Sequence, residues 1–433
     1  MRLPRHDLGS PDFDAALAVV DDRMTAGLDA VEPVARQIVG DVRHGGDRAV
    51  RRYAERLDGG APERLLERPF DGAAALDRLP GGVSEALRAA AGRLQRFWQR
   101  QREVDMRYEE GGLRAGLRLR PVRRAAICAP GPGERSALGV LEAAIPARVA
   151  GVADVLLATP RPDDLVLAAA HLAGVTALVP VGGAQAVAAL AFGTETIPRV
   201  EVIAGDGGLH GACARRLVLG HVQIDGLGGP TELLVVADTS ADAGVVAADL
   251  LGCAEAGEGA WPVLVTSEAR VVTAVEQELD RQLARLPRRL AAASALTERG
   301  LALVVRQRQQ LVEVAGRLAF DQVVLHVERP DDVLDRLPAA GAVAWGPLTP
   351  PVLLPGVGAR AAGGAARFGG AGGVWAFLTR TAHVHAGPAG LRAQADGAAR
   401  LARADGREGL ALATELRLGL PAARGVGHRE LES

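Results

Sequence analysis

From Arg123 onward the chain changes rhythm, and this change limits its fold more than any other feature of the sequence. Short runs of β-branched and aliphatic residues alternate with stretches at helical spacing, the pattern of parallel βαβ units. Ala125–Ala129 reads as a strand, followed by the loop Pro130-Gly-Pro-Gly133 and a helix from Ser136 to Gly151. Asp154–Ala158, Ala177–Val181 and Val200–Ala204 continue the series as strands, most followed by a helix. A second set follows at Leu233–Val236, Pro262–Thr266, Gln322–Val327 and Ala342–Trp345. Two open parallel sheets covered by helices, each Rossmann-like, account for this layout and place the chain in the α/β class.

The flanks read differently. Residues 14–115 read as helical, and Val34–Leu57 and Ala86–Arg102 carry apolar positions at helical spacing with charge on the other face. Gly356–Gly373 is rich in Gly, Ala and Arg and reads as loop or crossover, and the tail is helical from Leu391 to about Gly419, with a frayed end at Val426–Ser433. The expected division is an N-terminal helical region over 1–120, α/β domains over 121–235 and 236–370, and a C-terminal crossover and helical tail over 371–433. A length of 433 residues supports that many cores.

Composition removes several functions. The formal net charge is −2, so neither nucleic acid nor an acidic membrane is an expected partner. Leu165–Thr194 has no charged residue, long enough to span a bilayer, yet Pro180, Gly182, Gly183 and Gln185 interrupt it. It reads as helix, buried strand, turn and helix. Met1–Ser10 has no apolar core, so no signal peptide is expected. Cys128, Cys213 and Cys253 are too few and too scattered for a disulfide framework, which fits a reducing cytoplasm. The chain contains no lysine and no asparagine. A phosphate-loop lysine, a Schiff-base lysine and a pyridoxal phosphate anchor are therefore excluded.

No strand is followed by Gly-x-Gly-x-x-Gly with an acid about twenty residues on. Pro130–Gly133 and Gly205-Asp-Gly-Gly208 are glycine loops after strands, which serve either as tight turns or as places of close phosphate approach.

Gly182-Gly-Ala-Gln-Ala-Val-Ala-Ala-Leu-Ala-Phe-Gly-Thr-Glu195 resembles a stretch of the histidinol dehydrogenase family. Ala144-Ile-Pro-Ala-Arg-Val-Ala-Gly151, Gly229-Pro-Thr-Glu232 and Arg43-His-Gly-Gly-Asp47 are similar to the same family in the right order, from about residue 34 to 418. The resemblance implies an intertwined homodimer with exchanged C-terminal segments. It also implies two NAD-dependent oxidations of an amino alcohol, through an aldehyde to a carboxylate. That chemistry uses a zinc ion held by a Gln, two His and an Asp, with a Glu-His pair as base.

Carried over position by position, these parts are missing. The family's Ser-Gln-Ala-Glu-His-Gly run is Gly252-Cys-Ala-Glu-Ala-Gly257, so Cys253 and Ala256 replace the first Gln and His. The Gly-Pro-Glu-His-Leu base motif is Ala319-Phe-Asp-Gln-Val323, placing Asp321 and Gln322 for Glu and His. The aspartate ligand falls on Pro355, a Thr-Asn-His turn on Arg360-Ala-Ala362, and the last His on Ala413, while Glu408 of that run survives. Zinc is not expected, and no metal site is assigned. On the cofactor side Cys128 stands at an aromatic position, Gln185 is kept, and Gly205 and Gly208 lie in the altered loop, with Gly208 in place of Asn. NAD remains a possible cofactor. Thr231 stands for a substrate-contacting Ser, and Gln322 and Glu408 are further substrate-binding candidates.

Replacement chemistry could come from Cys253 beside Glu255, or from Asp321, Glu255 and Glu408 as confined carboxylates. His383 and His385 lie two residues apart and would need further ligands to hold a metal. The expected function is a metal-independent protein acting on a small, amine-bearing metabolite in the family's cleft. A non-catalytic scaffold and an NAD-linked alcohol oxidoreductase with a different site are the alternatives.

Overall fold

A computed structural model of the chain describes residues 2–23, 25–131, 137–257, 259–354, 363–369 and 372–419. They fall into two compact units, one formed by the chain up to Arg102 with Val122–Phe377, the other by Glu103–Pro121 with the chain from Leu378 onward. The first unit opens with strand β1 (Arg5–Asp7) and helix α1 (Phe13–Asp21), which buries Phe13, Leu17 and Val20 along one face. α2 (Thr25–Leu57) is broken at Gly46, where φ is +52°. A Cβ there would collide with the Glu195 carboxylate, which accepts the Asp47 N–H at 2.7 Å. α3 (Gly72–Arg78) and α4 (Gly81–Gln99) follow, the latter burying Leu87, Ala90, Ala91, Leu94 and Trp98.

The helical reading of the N-terminal region fails beyond α4. β2 (Met106–Glu110) and β3 (Leu113–Pro121) form an antiparallel hairpin. Its turn is Gly111-Gly112, both at positive φ, as a two-residue hairpin loop of this kind requires. The period of two was present in Arg114, Gly116, Arg118 and Arg120 alternating with Ala115, Leu117 and Leu119.

The first parallel sheet comprises β4 (Arg124–Cys128), β5 (Asp154–Ala158), β6 (Ala177–Val179), β7 (Val202–Gly205) and β8 (Gln223–Ile224). Between them run α5 (Ala137–Ala150), α6 (Asp164–Leu172), α7 (Gly183–Phe192) and α8 (Gly208–Val218). The strand order is β6-β5-β4-β7-β8. Strands buried on both faces need no polar alternation, which is why Ala125–Cys128 and Val155–Ala158 read as continuous apolar runs. α7 is apolar nearly all round, and Ala184–Ala191 are all buried against α2 and α8. Asp163 caps α6 by accepting the Val166 N–H at 3.0 Å, a contact worth about 1 kcal/mol. The uncharged stretch 165–194 thus lies within α6, β6 and α7. Among the described residues no helix is long and apolar enough to cross a membrane.

The second parallel sheet comprises β9 (Glu232–Ala237), β10 (Trp261–Thr266), β11 (Leu301–Val304), β12 (Gln322–His326) and β13 (Ala342–Trp345). α9 (Ala243–Ala254), α10 (Ala269–Leu283), α11 (Arg289–Glu298), α12 (Arg308–Leu318) and α13 (Pro330–Leu334) connect them. The order is β1-β11-β10-β9-β12-β13, so the same five-strand winding recurs with β1 added at one edge. β11 was absent from the expected strands. Its four apolar residues directly follow a helix, where periodicity alone cannot separate strand from helix.

In the second unit β14 (Leu378–Ala386) pairs antiparallel with β3 along its whole length. α14 (Pro388–Ala404) and α15 (Glu408–Leu418) pack on each other. Their buried residues are small: Gly390, Ala395, Ala399 and Ala411.

Candidate functional site

The strand order brings the N-terminal ends of β10, β9 and β12 side by side: Trp261 pairs with Glu232, and Gln322 with Leu233. The C-terminal end of α9 returns to this same edge. Cys253, Glu255 and Ala256 thereby join Thr231, Glu232, Asp321 and Gln322.

Glu232 organises the edge. Its buried carboxylate accepts from Arg23 Nε at 2.5 Å, Arg23 Nη2 at 2.9 Å, the Asp321 N–H at 3.0 Å and the Gly363 N–H at 3.1 Å. Arg23 is equally buried and donates to the carbonyls of Val20 at 2.8 Å and Leu318 at 3.1 Å. Its guanidinium carbon lies 4.3 Å from the centre of the Phe320 ring. One ion pair therefore ties the α1–α2 connection, the α12–β12 turn and Gly363 together. Arg23 was not among the sequence candidates. It lies 209 residues from Glu232, and nothing local marks it as a partner.

The other candidates sit around this pair. Burial, reinforced by the Glu232 charge, pushes the Cys253 thiol well above its ordinary pKa, and its Sγ lies 3.8 Å from the Thr231 carbonyl. A neutral, buried thiol is a poor nucleophile. Asp321 and Gln322 are buried at the start of β12, and the Asp321 carbonyl accepts the Ala342 N–H at 2.7 Å. Glu255 is half-buried at the end of α9. Glu408 belongs to the second unit, where Arg403 holds it at 2.8 Å, and Ala413 is on the same helix. Pro355 and Arg360 lie outside the described residues. His383 and His385 are exposed on β14, opposite Gly116 and Arg114. Among the described residues no three His, Cys, Asp or Glu side chains are grouped to hold a metal. Ala256 and Ala413 carry no side-chain atom that can ligate a metal.

The cofactor-side candidates lie at the C-terminal edge of the first sheet. Gln185 is buried and donates through Nε2 to both Asp58 oxygens at 3.2 Å, while among the described residues its own Oε1 has no hydrogen-bond partner. Burial raises the Asp58 pKa, offset by the bonds from Gly182 and Gln185. Gly205 ends β7 at φ +83°, where a Cβ would strike the Cys128 carbonyl oxygen. Gly208 has open space beside it, and its N–H is donated to Asp206 Oδ1 at 3.0 Å. The space a side chain would need at Gly205 is thus taken by the Cys128 backbone, whereas Gly208 leaves it open. Gln185, Gly205 and Gly208 would be the residues to hold a cofactor.

Two stretches that carried the sequence resemblance meet elsewhere. Asp47 accepts from the Thr194 hydroxyl at 2.5 Å and from the Thr196 hydroxyl, closing a clasp between α2 and the α7–β7 connection. Although burial opposes it, these bonds hold the Asp47 carboxyl below its usual range.

Known proteins give this geometry its context. The family model described as histidinol dehydrogenase matches residues 22–418. A histidinol dehydrogenase of Parasynechococcus marenigrum is 39% identical over 84% of this chain and 86% of its own length. One of Dechloromonas aromatica is 36% identical over 93% of this chain and 98% of its own. The crystal structure of histidinol dehydrogenase from Elizabethkingia anophelis superposes with a TM-score of 0.84 at 23% identity, covering 96% of this chain and 98% of that one, and so supports the fold. With its sequence matched from residue 22 to residue 418, the chain belongs to the histidinol dehydrogenase family.

Proposed function

We propose that this family member has lost zinc-dependent alcohol oxidation and binds a small, amine-bearing metabolite in the same cleft without a metal. The observation that carries this reading is the second sheet's N-terminal edge, where Ala256 and Gln322 stand in place of a ligand and the base. An amide at Gln322 cannot accept a proton at useful pH. Arg23 already neutralises Glu232, and Asp321 and Glu255 are the other carboxylates at this edge. Removing a divalent ion from such a pocket takes away a counter-charge and favours an amine as its replacement. The relatives are themselves named histidinol dehydrogenases, and the nucleotide-compatible edge of the first sheet favours a second reading, NAD-linked oxidation through another base.

Metal analysis of protein purified without chelators, combined with reduced-nicotinamide absorbance on histidinol, separates the two. The expected outcome is far less than stoichiometric zinc and no absorbance. Amines should raise the melting temperature more than carboxylates of similar size, and Asp321→Ala should remove that rise. Stoichiometric zinc or histidinol turnover would overturn the reading. We also infer a homodimer. The second unit supports it, since Leu401, Leu410, Leu412 and Leu416 are exposed beside a core of alanines and glycines. A monomer by light scattering at micromolar concentration would remove this inference.

A further inference from the structure

We propose that the strap Asp225–Thr231 is a proton-controlled hinge, held by Arg215 and released by Asp225, that sets the Thr231 end of the second-sheet cleft. The inference rests on the reading of that cleft as a ligand site and names how the site is regulated. The strap runs from the end of β8 to the start of β9, and so joins the C-terminal edge of the first sheet to the N-terminal edge of the second. Gly226, Gly228 and Gly229 within it have φ of +74°, +72° and +144°, values that side chains rarely adopt. A run of this kind has little preferred path of its own, so its course depends on what grips it.

Arg215 is the grip. Its side chain is wholly buried, and Nη1 donates to the carbonyls of Gly205 at 2.5 Å, Leu227 at 3.0 Å and Gly226 at 3.4 Å. Nη2 donates to the Ala204 carbonyl at 3.4 Å. One guanidinium thus bridges the end of β7 and the strap. Gly228 is packed against it, since a Cβ there would lie 2.8 Å from Nη1 and 3.2 Å from Asp206 Oδ1. At its other end the strap meets the cleft. The Thr231 carbonyl accepts the Trp261 N–H at 2.9 Å and lies 3.8 Å from the Cys253 Sγ.

Asp225 opens the strap. Its N–H donates to the Ile203 carbonyl at 2.9 Å, and its Oδ2 lies 3.1 Å from where a Cβ of Gly372 would stand. Among the described residues no hydrogen bond is donated to its carboxylate. The charged groups that reach the strap are Arg215 on α8 and Asp206 just before that helix, whereas β7, β8 and Gly372–Phe377 bring none. Arg215 favours the ionised carboxylate, but its donors are spent on carbonyls, and burial keeps the Asp225 pKa up at about 6. Below that value the neutral acid stays in place and the strap is held. Above it, a carboxylate without donors gains by reaching water, which draws the strap off Arg215 and shifts Thr231.

Hydrogen exchange of the full-length protein, followed by mass spectrometry at pH 5 and pH 8 and corrected for the chemical exchange rate, tests this. Peptides holding Asp225 and Trp261 should lose protection by about tenfold or more at pH 8. Dilute urea should leave their exchange unchanged, because a local opening exposes little surface. Asp225→Asn is neutral at both values and should be equally protected at both. Equal protection of the parent at the two pH values, exchange that rises with dilute urea, or the same loss in Asp225→Asn would each overturn the proposal. Benzylamine then probes the cleft: Asp225→Asn should bind it about threefold more tightly than the parent at pH 8 and equally at pH 5. Binding that is equal in the two proteins at pH 8 would overturn the link to the cleft. No binding at either pH counts against the reading of the cleft, while the exchange result still decides the strap.

Discussion

The two parallel sheets share one winding order, yet their C-terminal edges are finished in opposite ways. The first ends in Gly131, Gly182, Gly205 and Gly207, and among the described residues leaves the Gln185 Oε1 without a hydrogen-bond partner. The second closes on itself. Asp238 accepts from the Ser240 N–H at 2.9 Å, the Ser240 hydroxyl at 2.6 Å and the Glu328 N–H at 3.0 Å. His326 Nε2 meets Asp249 Oδ2 at 2.8 Å, 77 positions away in the chain. Where the first sheet's edge is closed by backbone and proline packed onto its glycines, the second satisfies its polar groups with its own side chains. Its candidate chemistry lies instead at the opposite, N-terminal edge. Strand order alone therefore does not assign a site, and the residues at strand ends do.

The largest effect that would sharpen this contrast is at the second sheet's N-terminal edge. Arg23→Met should cost about 3–5 kcal/mol in urea unfolding, because it leaves Glu232 charged, buried and unpaired. Arg23→Met with Glu232→Leu should recover most of that loss. If the single variant costs under about 1 kcal/mol, the edge does not depend on this pair.

A smaller, pH-dependent effect is expected where the chain leaves the first sheet. Burial raises the Asp225 pKa to about 6, with Arg215 opposing the shift. A raised folded pKa means the stabilising contribution is complete below the unfolded value near 3.8 and is lost as pH rises through about 6. Asp225→Asn should thus raise stability at pH 8, by up to ~3 kcal/mol, and give little gain at pH 4. Thermal unfolding at both values checks the sign, and equal shifts at the two would refute it.

The smallest effect concerns the closed edge. Asp238→Ala should cost about 0.5–1 kcal/mol, the net worth of bonds to the exposed Glu328 and Ser240 donors that water then takes up, while nucleotide affinity at the first sheet stays unchanged. A change in that affinity would show the two edges to be coupled.

Most strands of both sheets were legible because the central ones are buried on both faces and separated by helices of ordinary length, while β1, β8 and β11 were not. The hairpin 106–121 was not, since its period of two is masked by arginines that suit a helical face equally well. At the candidate edge, Cys253, Asp321 and Gln322 were named from short motifs, and the structure brings these three to one end of the second sheet. Their shared anchor could not. Arg23 reaches Glu232 only through the closing of the whole second sheet, and no spacing in a sequence encodes that distance. Asp58 and Gln185 are the same case, two residues 127 positions apart whose contact depends on α2 lying across α7.

β1 gives the second sheet an unusual order of assembly. Arg5 pairs with Ala302 and Asp7 with Val304, while Leu3 is buried in that sheet's core and donates its N–H to Glu276 at 2.9 Å. On a ribosome working at roughly 5–20 residues per second, β1 emerges about 15–60 s before β11 exists to receive it. For that interval an apolar leucine and an unpaired strand wait in solution, and once β11 forms, β1 docks beside it and covers its flank. The segment made early is thus the one that finishes the sheet, and the nascent chain must keep it from pairing elsewhere until then.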